Sequence, residues 1–337
     1  MKTTIIRAWM LICTILFTET ALAQYNTSFQ VTEVKDQTLK EAINQSISKL
    51  LTAFNTAQYN GTAPTLTDLS ITADALGTIT KLWADCPFIC MEEELVERAI
   101  RVEKRNEWQV RDIPLVMKPT DNSTKKDTWK VYQTGVVTLD NTGRITNFHL
   151  ALDAELYISV MSQAKAVEDF MRRQLILEYV ERFRNAYNLK DMDFLQQIYS
   201  DDALIITGRV VKQVKQADIK MADVNDTRIE YSKQSKKEYL GKLAKVFQNN
   251  ERINVTFDEI EVARHPAKEN FYGVTLKQGW NADSYSDVGY LFLLWDFSNE
   301  DAPQIHVRTW QPTEYEFNSK VVELPKDEIF SVDDFDI

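Results

Sequence analysis

The chain has 337 residues, of which 44% are hydrophobic and 11% aromatic, a composition that excludes a disordered protein and allows sizeable apolar cores. Its formal net charge of −11 disfavours binding to nucleic acid phosphates and to anionic lipid surfaces. The length predicts two domains on the usual scale of about 100–200 residues each.

Residues 1–23 have the pattern of a secretory signal peptide: a positive start, a short apolar stretch and small residues before a cleavage point. These features are Lys2 and Arg7, residues 8–17, and Ala21 with Ala23. The apolar stretch is about half the ~20 residues that a membrane span needs. We therefore predict export of residues 24–337 to the periplasm or cell surface of a bacterium, without a membrane span. Asn-x-Ser/Thr sequons leave a eukaryotic secreted protein open.

The first half of the exported chain predicts two helices followed by strands. Apolar residues spaced three and four apart predict a helix over 38–55, and a second helix is predicted over 73–83. The predicted strands are 88–102, 108–117, 129–139 and 144–152. Between the last two, Asp-Asn-Thr-Gly at 140–143 has the composition of a hairpin turn.

The second half begins with residues 154–189, where Gly and Pro are absent, which predicts one long helix or two with a bend. Next come a short helix over 192–199, a strand over 203–207, a polar stretch at 211–228 that we interpret as a loop with short strands, and a helix over 236–247. The last predicted strands are 253–263, 271–280, 289–297 and 304–310. The acidic segment 313–337 is predicted to be extended or only partly ordered.

The two halves resemble one another. Residues 82–90 align without gaps on residues 198–206, and both segments contain a helix ending in an aromatic residue, a turn with aspartate and an apolar strand. Each half also closes on a strand that carries a histidine between apolar neighbours, His149 and His306. We therefore predict a tandem repeat of an α+β unit, with domains over 24–153 and 154–312.

The segment 179–203 contains a helix, a short acidic turn and a second helix that ends in an aromatic-x-Asp-Asp-Ala element. The residues of this pattern are Tyr179, Val180, Phe183, Ala186, Tyr187, Asp191, Met192, Asp193, Leu195 and Tyr199 to Ala203. It resembles the opening of the nuclear transport factor 2-like (SnoaL-like) superfamily over roughly residues 165–312. The first half is similar more weakly, mainly through 73–90 and 129–152. The resemblance implies two cone-shaped domains, each with helices packed in a curved antiparallel sheet, joined by a long helix.

That superfamily includes ketosteroid isomerases, dehydratases, polyketide cyclases and non-catalytic binders, so the fold alone does not select a function. In the isomerases the resemblance places the catalytic base at Thr207, or at Met91 in the first half, and the oxyanion tyrosine at Phe183. None of these side chains carries the required group. We therefore expect no isomerase chemistry of that type.

The last strand supplies candidate functional residues, because alternation along a strand would put His306, Arg308 and Trp310 on one face. Asp287 could pair with His306 as an acid–base couple, which makes these two the catalytic candidates. The ligand-binding candidates are Trp280, Tyr290, Arg308 and Trp310. The alternative is that this polar face meets solvent or another subunit.

The sequence indicates no disulfide, metal site or cofactor. Cys86 and Cys90 are predicted in a turn and on a strand, too far apart for a disulfide, whereas a helical segment would allow them to meet. The chain has three histidines, which lie far from one another and from these cysteines, and it has no glycine-rich phosphate loop.

The leading hypothesis from the sequence is an exported, non-catalytic binding or assembly protein of the bacterial envelope. Its partner would be an envelope protein or a small apolar ligand, and a homodimer is left open. The alternative is a small-molecule isomerase, dehydratase or hydrolase with a pocket in the second domain. A third hypothesis is a structural subunit that docks through the tail 313–337.

Overall fold

The computed structural model describes residues 25–102, 105–119, 131–212, 227–317 and 320–336. The predicted signal peptide lies outside these residues, as does most of the predicted loop at 211–228. The chain forms two compact units, Met1–Ala151 and Leu152–Ile337. Within the described ranges, no helix combines the length and the hydropathy of a membrane-spanning segment.

The first unit consists of two helices and a mixed six-stranded sheet. Its elements are β1 (Ser28–Thr32), α1 (Gln37–Asn60), α2 (Ala73–Asp85), β2 (Phe88–Ile89), β3 (Glu94–Val102), β4 (Glu107–Met117), β5 (Tyr132–Leu139) and β6 (Ile145–Leu150). The strand order is β1-β3-β4-β5-β6, and β2 pairs with the end of β4. Strand β1 runs parallel to β3, whereas the pairs from β3 to β6 are antiparallel.

Helix α1 forms where its local signals predict it. The Asp36 carboxylate accepts a hydrogen bond of 2.9 Å from the backbone N–H of Leu39 and so caps the first turn. Ile43, Ile47 and neighbouring apolar residues are fully buried along one stripe. Gly61 ends the helix at φ 63°, a left-handed conformation that favours glycine.

Strand β1 is not predicted by the sequence, because its hydrogen-bonding partners lie far along the chain. It pairs with β3 from Ser28 opposite Glu94 onward. Two side chains of α1 satisfy backbone N–H groups on this short strand: Ser48 accepts from Phe29, and Asn44 accepts from Val31. The pairing is therefore a product of tertiary structure rather than of local sequence.

The second unit consists of helices and a separate six-stranded sheet, followed by a small hairpin. Its elements are α3 (Ala154–Ser162), α4 (Val167–Asn188), α5 (Met192–Ile198), β7 (Tyr199–Lys212), β8 (Thr227–Ser235), α6 (Lys236–Asn249), β9 (Ile253–Arg264), β10 (Phe271–Ala282), β11 (Ser286–Asp296), β12 (Gln304–Pro312), β13 (Glu314–Phe317) and β14 (Lys320–Glu323). The sheet order is β8-β7-β12-β11-β10-β9, in which β12 and β7 are parallel. The α+β class predicted from the sequence is confirmed.

The second sheet has two apolar faces. We call inner the face that carries Leu291, Leu293 and Trp295, which are fully buried and share one core with apolar residues of α4 to α6. The outer face carries Phe292 and Leu294 from the intervening positions of β11. Since both faces of this strand are apolar, both need a cover.

The tail covers the outer face, which corrects the expectation that 313–337 is extended or only partly ordered. After the β13–β14 hairpin, two short 3₁₀ turns span Lys326–Glu328 and Val332–Asp334. Val332 is buried in the outer cluster, and the Phe335 ring stacks on Phe292 with ring centroids 5.4 Å apart. A composition-based prediction failed here because several apolar residues among many acidic ones pack against the sheet, namely Phe330, Val332 and Phe335.

Candidate functional site

A cavity of about 1200 Å³ lies in the second unit, where the ends of β7, β9, β10, β11 and β12 surround one side of α6. Its lining combines aromatic side chains with polar ones. The residues that matter most are Thr207, Tyr239, Gln278, Trp280, Arg308 and Trp310. A concave, largely apolar space with a few polar groups is the usual form of a small-molecule site.

Arg308 is the buried charge of this cavity. The residue is 6% exposed, and its guanidinium carbon lies 4.9 Å from the centroid of the Tyr239 ring, a cation–π contact. Its Nε atom is buried and makes no hydrogen bond. Among the residues that the structure describes, no carboxylate lies within 4.0 Å of this guanidinium. The positive charge is therefore enclosed without an acidic partner.

Three tyrosine hydroxyls form a hydrogen-bonded group beside Arg308. The Tyr187 hydroxyl lies 3.1 Å from that of Tyr199 and 2.6 Å from that of Tyr239. Burial raises the pKa of Tyr199 and of Tyr239, Arg308 lowers both, and Tyr187 raises both further. The hydroxyls of Tyr199 and Tyr239 thus remain protonated at neutral pH and can donate hydrogen bonds.

The three tyrosines also raise the pKa of the Arg308 guanidinium. Burial lowers the pKa of Arg308, but Tyr239, Tyr187 and Tyr199 together raise it by more, so the net shift is upward. Arg308 therefore keeps its charge in the cavity.

A glycine shapes the wall next to Trp310. A Cβ atom at Gly289 would lie 2.4 Å from two atoms of the Trp310 indole. The ring therefore lies flat against β11 only because position 289 has no side chain. In the β11–β12 register Leu291 is opposite Trp310, so the indole belongs to the inner face.

His306 does not share a face with Arg308 and Trp310, which corrects the prediction from strand alternation. Leu294 pairs with Val307 and Trp295 pairs with Ile305, so His306 is the extra residue of a β-bulge. The bulge shifts the alternation, because Ile305 lies in the inner core and Val307 in the outer cluster. The His306 ring lies 5.4 Å from the outer-face ring of Phe271.

The predicted pair of His306 and Asp287 is not brought together. The imidazole nitrogens of His306 lie 3.9 Å from an Asp202 oxygen and 3.7 Å from an Asp296 oxygen. Asp287 lines the cavity instead, where the Tyr285 hydroxyl donates a hydrogen bond to it. Along β11, Asp287 lies roughly 25 Å from the level of His306. The couple cannot act as one acid–base site.

The other candidates are divided between the two faces. Trp280, Arg308 and Trp310 line the cavity, and the Trp280 ring contacts Tyr187 edge to face at 6.0 Å. Tyr290 lies between the inner-face positions of β11 and is not part of this lining, so its prediction as a ligand-binding residue is not supported. Thr207, the position that the resemblance gives to the isomerase base, also lines the cavity.

The hydrogen-bonded set of three tyrosines was not predicted from the sequence. Tyr187 and Tyr199 were part of the pattern that carried the family resemblance and were interpreted as elements of the fold. Tyr239 lies on α6, and nothing in its neighbourhood predicts contact with Arg308. The available signal was three tyrosines on buried helix and strand positions, since a buried hydroxyl needs a hydrogen-bonding partner.

Cys86, Cys90 and His149 of the first unit are buried. Cys86 and Cys90 form no disulfide bond, and burial raises the pKa of the Cys90 thiol. His149 is buried, with Nδ1 3.3 Å from the Asn147 side-chain oxygen, as expected of a structural histidine. In the described parts of the chain, no three or more His, Cys, Asp or Glu side chains are grouped to hold a metal ion.

No protein-family model matches the chain, and no curated protein is similar enough to count as a relative. Similar solved structures include a proposed dehydratase of the nuclear transport factor 2-like family from Streptomyces avermitilis, with 12% identity over 39% of this chain and 87% of that chain, at a TM-score of 0.27. A nuclear transport factor 2-like protein from Cytophaga hutchinsonii has 10% identity over 42% of this chain and 97% of that chain, at a TM-score of 0.26.

A proposed scytalone dehydratase from Novosphingobium aromaticivorans is similar as well, with 8% identity over 45% of this chain and 87% of that chain, at a TM-score of 0.31. The solved structures similar to this chain include nuclear transport factor 2-like proteins. Because identity is so low, the function must be inferred from the residues of this chain alone.

Proposed function

We propose that the second unit is a non-catalytic binding domain for a small, largely apolar organic molecule held in the cavity between α6 and the sheet. The observation that carries this proposal is a cavity of about 1200 Å³ that has indole walls and a buried cation. Drug-sized ligands occupy cavities of roughly 300–1,000 Å³ with apolar walls and few polar groups. At about 1200 Å³ the space exceeds this range, so a molecule of one or two rings would occupy part of it.

The polar groups deep in the cavity favour binding over proton transfer. Tyr199 and Tyr239 hold their protons because burial raises their pKa values, and Arg308 stays charged. Tyr239 and Arg308 line the cavity and offer hydrogens to a ligand, whereas a group that must abstract a proton needs a pKa near the working pH. The sequence-based candidate for the base, His306, lies on the other face of the sheet.

The alternative function is that of a small-molecule isomerase, dehydratase or hydrolase. One observation favours it: hydroxyl donors and a guanidinium converge in one place, as they do in sites that stabilise an oxyanion. Asp287 would then be the carboxylate to test. Turnover of a carbonyl compound that Asp287→Asn abolishes would support the enzyme and overturn the non-catalytic proposal.

Export to a bacterial envelope is a second part of the proposal, and it depends on the sequence pattern of residues 1–23. When the full chain is produced in a Gram-negative bacterium, we expect a periplasmic product whose mass corresponds to a start at Gln24. Ala23→Arg should block cleavage, because the processing site requires a small residue there. A product that keeps residues 1–23 and stays in the cytoplasm would contradict export.

The binding proposal is tested by filling the cavity. Thr207→Trp places an indole on a half-buried position of the lining and should weaken binding of 2-naphthamide, a neutral two-ring probe, by at least tenfold. For the unchanged protein we expect a Kd of roughly 0.1–1 mM by isothermal titration calorimetry, given the size of the probe.

Val321→Trp is the matched control, because it adds the same indole at an exposed position of β14 outside the cavity lining. It should leave the affinity for 2-naphthamide unchanged. If neither the unchanged protein nor the control binds any aromatic probe, the cavity is not a ligand site. Equal affinity in Thr207→Trp and the control would place the probe elsewhere.

A further inference from the structure

We propose that Arg308 anchors a carboxylate, so that the molecule bound in the second unit is an organic anion with one carboxylate group on an apolar ring system. This inference rests on the proposed function of the cavity as a binding site, and it adds the chemical class of the ligand. It assigns to Arg308 the role of the residue that selects charged over neutral ligands.

The burial of the Arg308 charge favours an anionic ligand. Taking a charged side chain out of water costs several kcal/mol unless an opposite charge or full hydrogen bonding compensates it. Arg308 is 94% removed from solvent, its Nε makes no hydrogen bond, and the described residues place no carboxylate within 4.0 Å of it. An anion arriving in the cavity would supply the missing compensation.

Neighbouring tyrosines hold the Arg308 side chain in place. The guanidinium carbon lies over the Tyr239 ring, 4.9 Å from the ring centroid, in a cation–π contact. Tyr239 is itself fixed through the hydroxyl of Tyr187, which in turn reaches Tyr199. The contact holds the guanidinium in place, and the planar N–H fork of a guanidinium has the geometry that matches a carboxylate.

The charged residues of the cavity lining favour a ligand with one negative charge. Besides Arg308, the charged residues of the described lining are Arg209, Asp287 and Glu314. Arg209 is largely exposed and already pairs with Glu230 at 3.4 Å. Of the two arginines in the described lining, Arg308 is therefore the one that is buried and available to a ligand. The balance favours a monoanion such as a carboxylate over a phosphate dianion.

The apolar wall of the cavity favours a ligand with a ring system. Trp280 and Trp310 line the same cavity as Arg308, and Leu243 of α6 lies opposite. Large aromatic side chains bind flat ring systems through apolar contact and stacking. The site therefore combines one charged anchor with ring-binding walls, which is the requirement of an aromatic or alicyclic carboxylate.

The test compares two probes that differ only in charge. Isothermal titration of the full chain with 2-naphthoate and with 2-naphthamide should give at least tenfold tighter binding of the carboxylate. In Arg308→Met the two affinities should come within about threefold of each other, with 2-naphthamide still bound. Arg308→Lys should give an intermediate ratio, because an ammonium keeps the charge but lacks the planar fork.

Arg264→Met is the control for a change in overall charge, since Arg264 is exposed, pairs with Glu269 at 3.5 Å and lies outside the cavity lining. It should keep the tenfold ratio. Circular dichroism of each variant checks folding, and the two-probe ratio in the unchanged protein tests the inference even if Arg308→Met does not fold.

Three results would overturn the inference. Equal binding of the two probes would remove the anion preference and leave the proposed binding function intact. Tighter binding of 2-naphthyl phosphate than of 2-naphthoate would replace the carboxylate by a phosphate. Failure of every probe to bind the unchanged protein would reject the proposed function itself.

Discussion

Ending the chain at Thr313 is expected to lower the free energy of unfolding of the second unit by roughly 6–9 kcal/mol. The truncation removes Val332 and Phe335, which lie on the outer face of the sheet. Phe292 and Leu294, which are almost fully buried in the complete chain, would then face water. Each large apolar side chain loses about 1.5–3 kcal/mol when it is exposed.

Hydrogen bonds add to this loss. Gln311 donates to the Glu328 carbonyl at 2.8 Å and accepts from the Phe330 N–H at 2.8 Å, so one side chain of β12 holds the tail at two points. His265 lies 3.0 Å from the Phe335 carbonyl. Without the tail, Gln311 and His265 lose these partners, which costs about 1 kcal/mol for each hydrogen bond.

Urea unfolding followed by circular dichroism measures the effect, and amide hydrogen exchange in β11 and β12 assigns it to the second unit. Val321→Ala is the control within the tail, since Val321 is 67% exposed and should change stability by less than about 0.5 kcal/mol. An unfolding midpoint and exchange rates that match those of the complete chain would show that the tail is dispensable. Self-association of the truncated chain would agree with exposure of an apolar sheet face.

Gly143→Ala is expected to destabilise the first unit by about 2–4 kcal/mol. Gly143 has φ 78°, a left-handed conformation that costs a residue with a Cβ atom. A Cβ there would also lie 2.6 Å from Ala42 Cβ and 3.1 Å from the Ile43 nitrogen, both on α1. Since the close atoms belong to helix backbone and its first side-chain carbon, the turn or the helix must move.

The turn offers little freedom for such a movement. Asp140 accepts hydrogen bonds from the backbone N–H groups of Thr142 and Arg144 at 2.8 and 3.1 Å. Ser46 of α1 donates to the Gly143 carbonyl at 2.7 Å in a buried contact. A displaced turn would break this contact and leave the Ser46 hydroxyl buried without its partner.

Gly77→Ala is the matched control, because Gly77 lies in α2 with no atom within 4 Å of the position of its Cβ. There the same substitution should be neutral or stabilise by up to about 1 kcal/mol, since alanine favours helix more than glycine does. Thermal or urea unfolding of both variants provides the comparison. Equal effects at the two positions would contradict the close approach of Gly143 to α1.

Local signals in the sequence were sufficient for most elements of the fold. Helix α6 begins with Ser235 and Glu238 forming a reciprocal capping box, and an apolar stripe follows. The hairpin turn at 140–143 carries its own aspartate and glycine. In both cases the residues that decide the structure are within a few positions of one another, so the prediction needs no knowledge of the fold.

The residues of the candidate site could be predicted from the sequence only in part. Trp280, Arg308 and Trp310 were predicted as ligand-binding residues, and they line one cavity. The alternation rule failed at His306, because a β-bulge at this position depends on how β12 pairs with β11 and β7. A single extra residue was enough to move the predicted catalytic histidine to the opposite face.

The sequence by itself determined the α+β class, the repeated order of helices and strands, and the resemblance to the nuclear transport factor 2-like superfamily, because periodicity, caps and turns are local properties. Only the tertiary structure decided that β1 joins β3, that the acidic tail covers the outer face, and that Tyr187, Tyr199 and Tyr239 surround Arg308. These contacts join residues far apart in the chain, and their stability comes from burial and hydrogen bonding that no local pattern encodes.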